Sequence, residues 1–219
     1  MTTRSMAGAL MAALAISQGA QAAVTVYSSQ SDFLAANVIA NTADFEATTA
    51  GFVVDPFTED GITFHNLAGG ALYIAPAHAA ATNPDTTSQV LEANGDENFQ
   101  IALSSGLSFG AIGFEFYSNA YGPTVFSLFS AGGGLIGSFT STQAPNTLAF
   151  IGFGSTDPIA YVRNQVDRGY VENTAIDNVL VGAARAETGV VPEPATWAMM
   201  IIGFGAAGSM IRRRKAVIA

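Results

Sequence analysis

The 219-residue sequence predicts an all-β, antiparallel fold, a sandwich or a barrel, set between two apolar terminal segments. Three observations predict it. Short runs of β-branched and aromatic residues alternate with clusters of Gly, Asn, Asp, Ser and Pro, which is the spacing of sheet proteins. No such run alternates with a helical pattern long enough for a βαβ crossover, so a parallel sheet is excluded. The apolar excess, 49% hydrophobic residues with a mean hydropathy of +0.34, sits mostly at the two ends.

The first element is a targeting segment. Arg4 is followed by an uncharged run from Met6 to Ile16 and by Gly19-Ala20-Gln21-Ala22-Ala23. One positive charge, an apolar stretch and an Ala-x-Ala site make residues 1–22 a secretory signal peptide, with cleavage expected after Ala22. An amphipathic first helix is the alternative, but the stretch has no polar face.

Residues 23–183 are expected to form the sandwich domain. Strands are predicted at Val24–Ser28, Asp44–Ala47, Ile62–Leu67, Ala71–Ala75, Gln89–Ala93, Phe99–Ser104, Ala111–Ser118, Thr124–Ser130, Leu135–Ser141, Leu148–Phe153, Ala160–Gln165 and Ala175–Val181. In the seventh of these, Ile112, Phe114 and Phe116 alternate with Gly113, Glu115 and Tyr117, giving one apolar and one mixed face. A short helix is expected at Gln30–Ala36, with Ser29 or Ser31 as its cap. Gly132-Gly133-Gly134 reads as a loose hairpin turn, and Asn94-Gly95 as a second hairpin turn between Val90–Ala93 and Phe99–Leu103.

Residues 184–191 form a linker to the last segment. There, Pro192-Glu193-Pro194 fixes an extended entry, Trp197 suits the water–lipid boundary, and residues 197–211 carry no charge before Arg212-Arg213-Arg214-Lys215. At roughly 2.5–3.5 kcal/mol for each basic residue placed at mid-membrane, the cluster 212–215 stays cytoplasmic and the domain before it lies outside. The helix 197–211 is short against a lower limit of about 17 residues for a span, and a buried or interfacial helix is the alternative. The glycines of this segment mimic a dinucleotide-binding turn, but they follow no strand and read as small residues for close helix packing.

Taken in order, Pro192, Glu193, Pro194, Trp197 and Ala198, then Gly203, Gly205 and Gly208, then Arg212, Arg213 and Arg214, resemble the PEP-CTERM sorting signal in its PEPxxWA form over residues 192–215. The resemblance implies an exosortase as partner and processing near the Pro-Glu-Pro. It also implies a precursor held temporarily in the inner membrane facing the periplasm, and final residence at the cell surface or in the extracellular matrix. Such systems accompany exopolysaccharide and biofilm production. The strand-rich middle resembles the jelly-roll-like ectodomains of PEP-CTERM proteins, which often close with an Asp-Asn pair on the last strand. Asp177-Asn178 has that look, as does Asp44-Phe45-Glu46 near the start.

Charge and composition narrow the chemistry. Residues 23–191 hold sixteen Asp and Glu against Arg163, Arg168 and Arg185, a net of −13 with no lysine. A nucleic-acid binder needs a basic footprint, so nucleic acid is excluded as a partner, whereas cations or neutral polymers fit. The chain has no cysteine, which removes disulfides, thiolate nucleophiles and Cys-rich metal sites.

No cofactor is expected beyond a structural calcium, for which Glu46, Asp177 and Asn178 are the candidate oxygen ligands. The other reading is that these groups cap turns at strand ends. The turn 94–98 is a further oxygen-rich stretch, but it lacks the EF-hand register. His65 and His78 are too few for a zinc site, and no nucleophile elbow, His-Glu-x-x-His or phosphate loop occurs. A glycosidase pair such as Glu115 with Glu92 has no signature of its own. Tyr73, Tyr117, Tyr121 and Tyr170 are candidates for stacking on sugar rings, with half-buried strand tyrosines as the other reading for the first two. Ice binding would need a regular Thr array, and no repeat is present.

The sequence therefore predicts a non-enzymatic exported protein associated with extracellular polysaccharide. A secreted carbohydrate-active enzyme and a purely structural matrix protein are the alternatives.

Overall fold

In the strand Phe109–Ser118, Ile112, Phe114 and Phe116 point into the core, and Glu115 and Tyr117 point the other way. The same period-2 rule orders the rest of the domain. The computed structural model describes residues 23–67, 69–78, 86–93, 98–118, 123–144, 147–166 and 174–185, together with Phe204. The expected signal peptide therefore lies outside the described residues. The sorting segment and nearly all of the linker do too. Among the described residues no helix is long and apolar enough to cross a membrane. Chain contacts separate a unit Met1–Ala184 from a unit Arg185–Ala219, and the elements below belong to the first.

In chain order these are β1 (Val24–Tyr27), α1 (Gln30–Ala36), β2 (Asn37–Ala43), β3 (Gly51–Val53), β4 (Phe57–Glu59), β5 (Ile62–Asn66), β6 (Leu72–Ala75) and β7 (Val90–Ala93). There follow β8 (Phe99–Leu103), β9 (Phe109–Ser118), β10 (Thr124–Phe129), β11 (Leu135–Thr140), β12 (Thr147–Ile159), β13 (Tyr161–Val166) and β14 (Thr174–Ala184). One sheet has eight strands, ordered β1-β12-β9-β14-β7-β6-β3 with β2 also paired to β14; the other has six, ordered β11-β10-β13-β8-β5-β4. All the pairings are antiparallel. The result is an all-β sandwich.

Its core is aromatic. Phe126 of the six-stranded sheet lies 4.9 Å from Phe116, 5.5 Å from Phe114 and 5.8 Å from Phe153 of the eight-stranded one, centroid to centroid. Burying each such side chain contributes roughly 1.5–3 kcal/mol, and no disulfide supplements it. The helix packs through one residue. Ser29 caps α1 by accepting from the Asp32 N–H at 3.4 Å, and Phe33 alone is buried. Phe33 lies over Gly113 and Gly152, where a Cβ would come within 3.1 and 2.8 Å of its ring. The glycines are what let the helix lie on the sheet.

Three expectations are corrected. Asp44–Ala47 is a turn and not a strand: Asp44 Oδ1 accepts the Glu46 N–H at 3.2 Å and Phe45 has φ 61°, so a local side-chain bond and a left-handed residue end the extended run. The strand is the segment before it, β2. Second, Val90–Ala93 and Phe99–Leu103 do not form a hairpin. β7 pairs with β6 and β14 in the larger sheet while β8 pairs with β5 and β13 in the smaller, so the chain crosses between layers there. All four residues of β7 are buried, which a strand inside a covered sheet requires. Third, β3 and β4 are short strands at the sheet edges, where no strand was expected. The Gly132–Gly134 hairpin forms as expected, with β10 and β11 paired.

Candidate functional site

β14 changes partner along one edge. It pairs with β7 through Ala175 and Ile176, then with β2 from Val179 onward, and its register against β9 shifts between Asp177 and Leu180. Asn178 sits at the change with φ 48°, a conformation Asn tolerates better than most residues. The Asp-Asn pair of the last strand is thus a bulge that hands β14 from one neighbour to the other.

The gap left between β7 and β2 is stitched by side chains. Ser88 donates to Asp177 Oδ2, the Asn178 N–H donates to Asp177 Oδ1 at 2.6 Å, and Asn178 Nδ2 donates to Glu115 Oε2 at 2.9 Å. Glu46 Oε1 accepts the Gln89 N–H at 2.7 Å, and Gln89 Nε2 donates to the Phe45, Glu46 and Thr48 carbonyls at 3.2–3.3 Å. Asp177 and Asn178 thus share one set of bonds with Ser88 and Glu115, while Glu46, the other candidate calcium ligand, belongs to a second set held by the adjacent Gln89. Burial is the largest influence on Asp177 and raises its pKa to about 6; bonds from Ser88 and Asn178 oppose this, and the Glu115 and Glu46 charges add to it. Among the described residues no group of three or more His, Cys, Asp or Glu side chains is arranged to hold a metal ion.

Across the same outer face, register aligns Phe52, Tyr73, Glu92, Ala175, Tyr117 and Leu148 in one row. Glu92 is 9% exposed, its Oε1 has no hydrogen-bond partner, and burial pushes its carboxyl up to about 7. Tyr117 is buried, while Phe52 is 72% exposed and lies 5.0 Å from the Tyr73 ring. Glu115 is two strands from Glu92 and one register row away, which puts their Cα atoms about 12 Å apart. Tyr121 and Tyr170 lie outside the described residues. His65 Nδ1 bonds Asp55 Oδ1 at 2.8 Å, and His78 has φ 59°.

The outer face of the six-stranded sheet is different in kind. Phe129 and Tyr161, opposite each other on β10 and β13, stack at 4.9 Å and 16°. The Arg163 guanidinium carbon lies 5.4 and 5.1 Å from their centroids. Arg163 Nε donates to Gln100 Oε1 of β8 at 3.0 Å. Register then sets Ser138, Ser127, Arg163, Gln100 and His65 side by side on five adjacent strands, a row about 19 Å long at the usual strand spacing. Phe129, Tyr161 and Gln100 were not among the residues expected at a site. The readable signal was Tyr161 two positions before Arg163, which places both on one face; their cross-strand partners depend on register.

A third place is a cleft of about 560 Å³ between β1 and β11, lined by Tyr27, Phe139, Phe150, Thr140 and Gln143 among others. It has no charged lining residue, and Gln143 Nε2 already donates to the Phe116 and Thr147 carbonyls.

Among solved structures the chain is similar to a mutant of the carbohydrate-binding module CBM29-2, at 14% identity and a TM-score of 0.35, covering 70% of this chain and 99% of that one. A second family 29 carbohydrate-binding module mutant matches at 14% identity and a TM-score of 0.33, covering 78% and 100%. The apo BiXyn10A CBM1 matches at 15% identity and a TM-score of 0.30, covering 66% and 97%. These likenesses are too distant to transfer a function. No curated protein matches the chain. Residues 190–215 match the PEP-CTERM protein-sorting motif, and that motif marks the chain as an exported substrate of an exosortase.

Proposed function

We propose that this protein, once exported and sorted, holds extracellular polysaccharide on its β-sandwich without hydrolysing it. The observation that carries the reading is the outer face of the six-stranded sheet. There the Phe129–Tyr161 pair supplies apolar ring surface, and Gln100 and Arg163, opposite each other in register, supply polar groups beside it. Aromatic surface beside fixed polar groups is what a pyranose presents its two kinds of surface to. In this reading residues 1–22 are removed on export, 23–183 bind, 184–191 link, and 192–215 are the address. The helix 197–211 and the basic cluster 212–215 hold the precursor in the inner membrane until processing.

A structural calcium at Glu46, Asp177 and Asn178 is a subsidiary element of the proposal, supported by the adjacent residues Ser88 and Gln89, which bond Asp177 and Glu46 respectively. Calcium titrated into EDTA-treated protein should raise the melting temperature; an unchanged melting temperature counts against it.

The carbohydrate-active enzyme is kept as a second reading because Glu92 is a buried carboxyl raised to about 7, as a general acid must be. A glycan array combined with a hydrolysis screen on the full chain in detergent separates the two. Saturable binding without products supports the first reading, and turnover supports the second. Neither binding nor turnover would favour a purely structural matrix protein.

A further inference from the structure

The acidic residues are not spread evenly over the two sheets. The larger sheet carries Glu92, Glu115, Asp157 and Asp177; in the six strands of the smaller one, Glu59 is the sole acidic residue. Glu59 lies opposite Ile62, on the core side of its strand pair. Asp55 approaches the outer face at one end, where it is bonded to His65 and to the Asn66 N–H at 3.1 Å. Arg163 stands in the middle of that face. Among the described residues it meets no carboxylate, and its Nε donates to Gln100 Oε1.

We infer that this face takes an anionic, uronate-bearing polysaccharide, with Arg163 receiving the carboxylate and the Phe129–Tyr161 pair packing on the sugar ring. This rests on the polysaccharide-binding reading above. The Gln100 bond and the two rings fix the guanidinium plane beforehand, so less side-chain freedom is lost when its terminal amino groups engage a carboxylate. The net charge of −13 over residues 23–191 does not oppose this at close range. The Debye length is about 8 Å at physiological salt, and the carboxylates of the other sheet lie behind a core about 10 Å thick.

The test uses the full chain in detergent, at physiological salt, with polygalacturonate and its methyl-esterified form as the probes. Polygalacturonate should bind more tightly than its ester. Arg163→Gln should weaken polygalacturonate roughly tenfold, the scale of one charge-assisted hydrogen bond, and weaken the ester clearly less. Tyr161→Ala should weaken both. Phe52→Ala, on the other sheet, should weaken neither. Arg163→Lys, which keeps the charge without the fork, should fall between wild type and Arg163→Gln, and it stands in if the Gln variant unfolds early. Equal affinity of wild type for the two polymers would overturn the charge inference and leave the polysaccharide reading intact. Loss of binding in Phe52→Ala but not Tyr161→Ala would overturn the assignment of the face. Binding of neutral glycans with no binding of polygalacturonate would overturn the inference alone, and no glycan binding at all would overturn both.

Discussion

The Gln89 N–H donates to Glu46 Oε1 at 2.7 Å, tying the turn after β2 to the start of β7 across 43 positions of sequence. Gln89 returns the contact through Nε2, which reaches three carbonyls of that turn. Gln89→Ala removes the amide and should cost about 1–2 kcal/mol, because the Glu46 and Thr48 carbonyls lose this donor and the Phe45 carbonyl keeps only the Thr48 N–H. Glu46→Gln keeps an acceptor for the N–H and should cost less than about 1 kcal/mol. Urea unfolding of the two variants checks the order.

Gly182 marks the second irregularity of β14, where the register against β2 shifts between Val181 and Gly182. A Cβ there would collide with the Val38 carbonyl and come within 2.9 Å of the Ile39 Cα. Both are backbone atoms of a paired strand and cannot swing away. Gly182→Ala should therefore destabilise by at least about 2 kcal/mol, at the upper end of overpacking effects. Gly132→Ala meets nothing within 4 Å and should be near neutral. Thermal unfolding distinguishes them.

Stability should fall as pH rises from about 4 to about 7. Burial raises Glu92 from 4.5 to about 7 and Asp177 from 3.8 to about 6, so the folded protein binds more protons than the unfolded chain between those values. For Glu92 the contribution is complete below about pH 4.5 and is lost as pH rises through about 7. The loss for Glu92 is on the order of 3 kcal/mol. Asp177 loses its share between about pH 4 and 6, in the same direction. Glu92→Gln should raise stability at pH 8 and change it little at pH 4. Chemical denaturation at the two pH values provides the readout; an equal effect at both would refute the ionisation argument.

Much of this architecture was readable because it is local. The Ser29 cap, the helix Gln30–Ala36 and the alternation from Ile112 to Tyr117 each depend on residues within a few positions. The Asn94-Gly95 dipeptide shows the limit: it signals a reversal of the chain, yet which sheet receives Phe99–Leu103 is decided by long-range pairing with β5 and β13. β2 was missed because Asn37, Ala40 and Asn41 carry little β signal, and its place is fixed by β14. The same rule governs the sites. Asp177 and Asn178 were legible as a pair on the last strand, and Glu46 as a carboxylate nearby. That Ser88 and Glu115 bond the Asp177-Asn178 pair, and that Gln89 bonds Glu46, follows only from the tertiary fold. Arg163 was legible only as one of three cations of the domain, and Phe129 and Gln100 come from other strands.

The central claim is that the outer face of the six-stranded sheet binds polysaccharide without cleaving it. The most direct measurement is the binding isotherm of wild type and Tyr161→Ala on polysaccharide from a producing bacterium, with reducing ends assayed in the same samples. Saturable wild-type binding that Tyr161→Ala weakens at least about tenfold, the scale of one stacking contact with its burial, with no new reducing ends, is the predicted result. Equal binding by the two proteins, or release of reducing ends by the wild type, would contradict it.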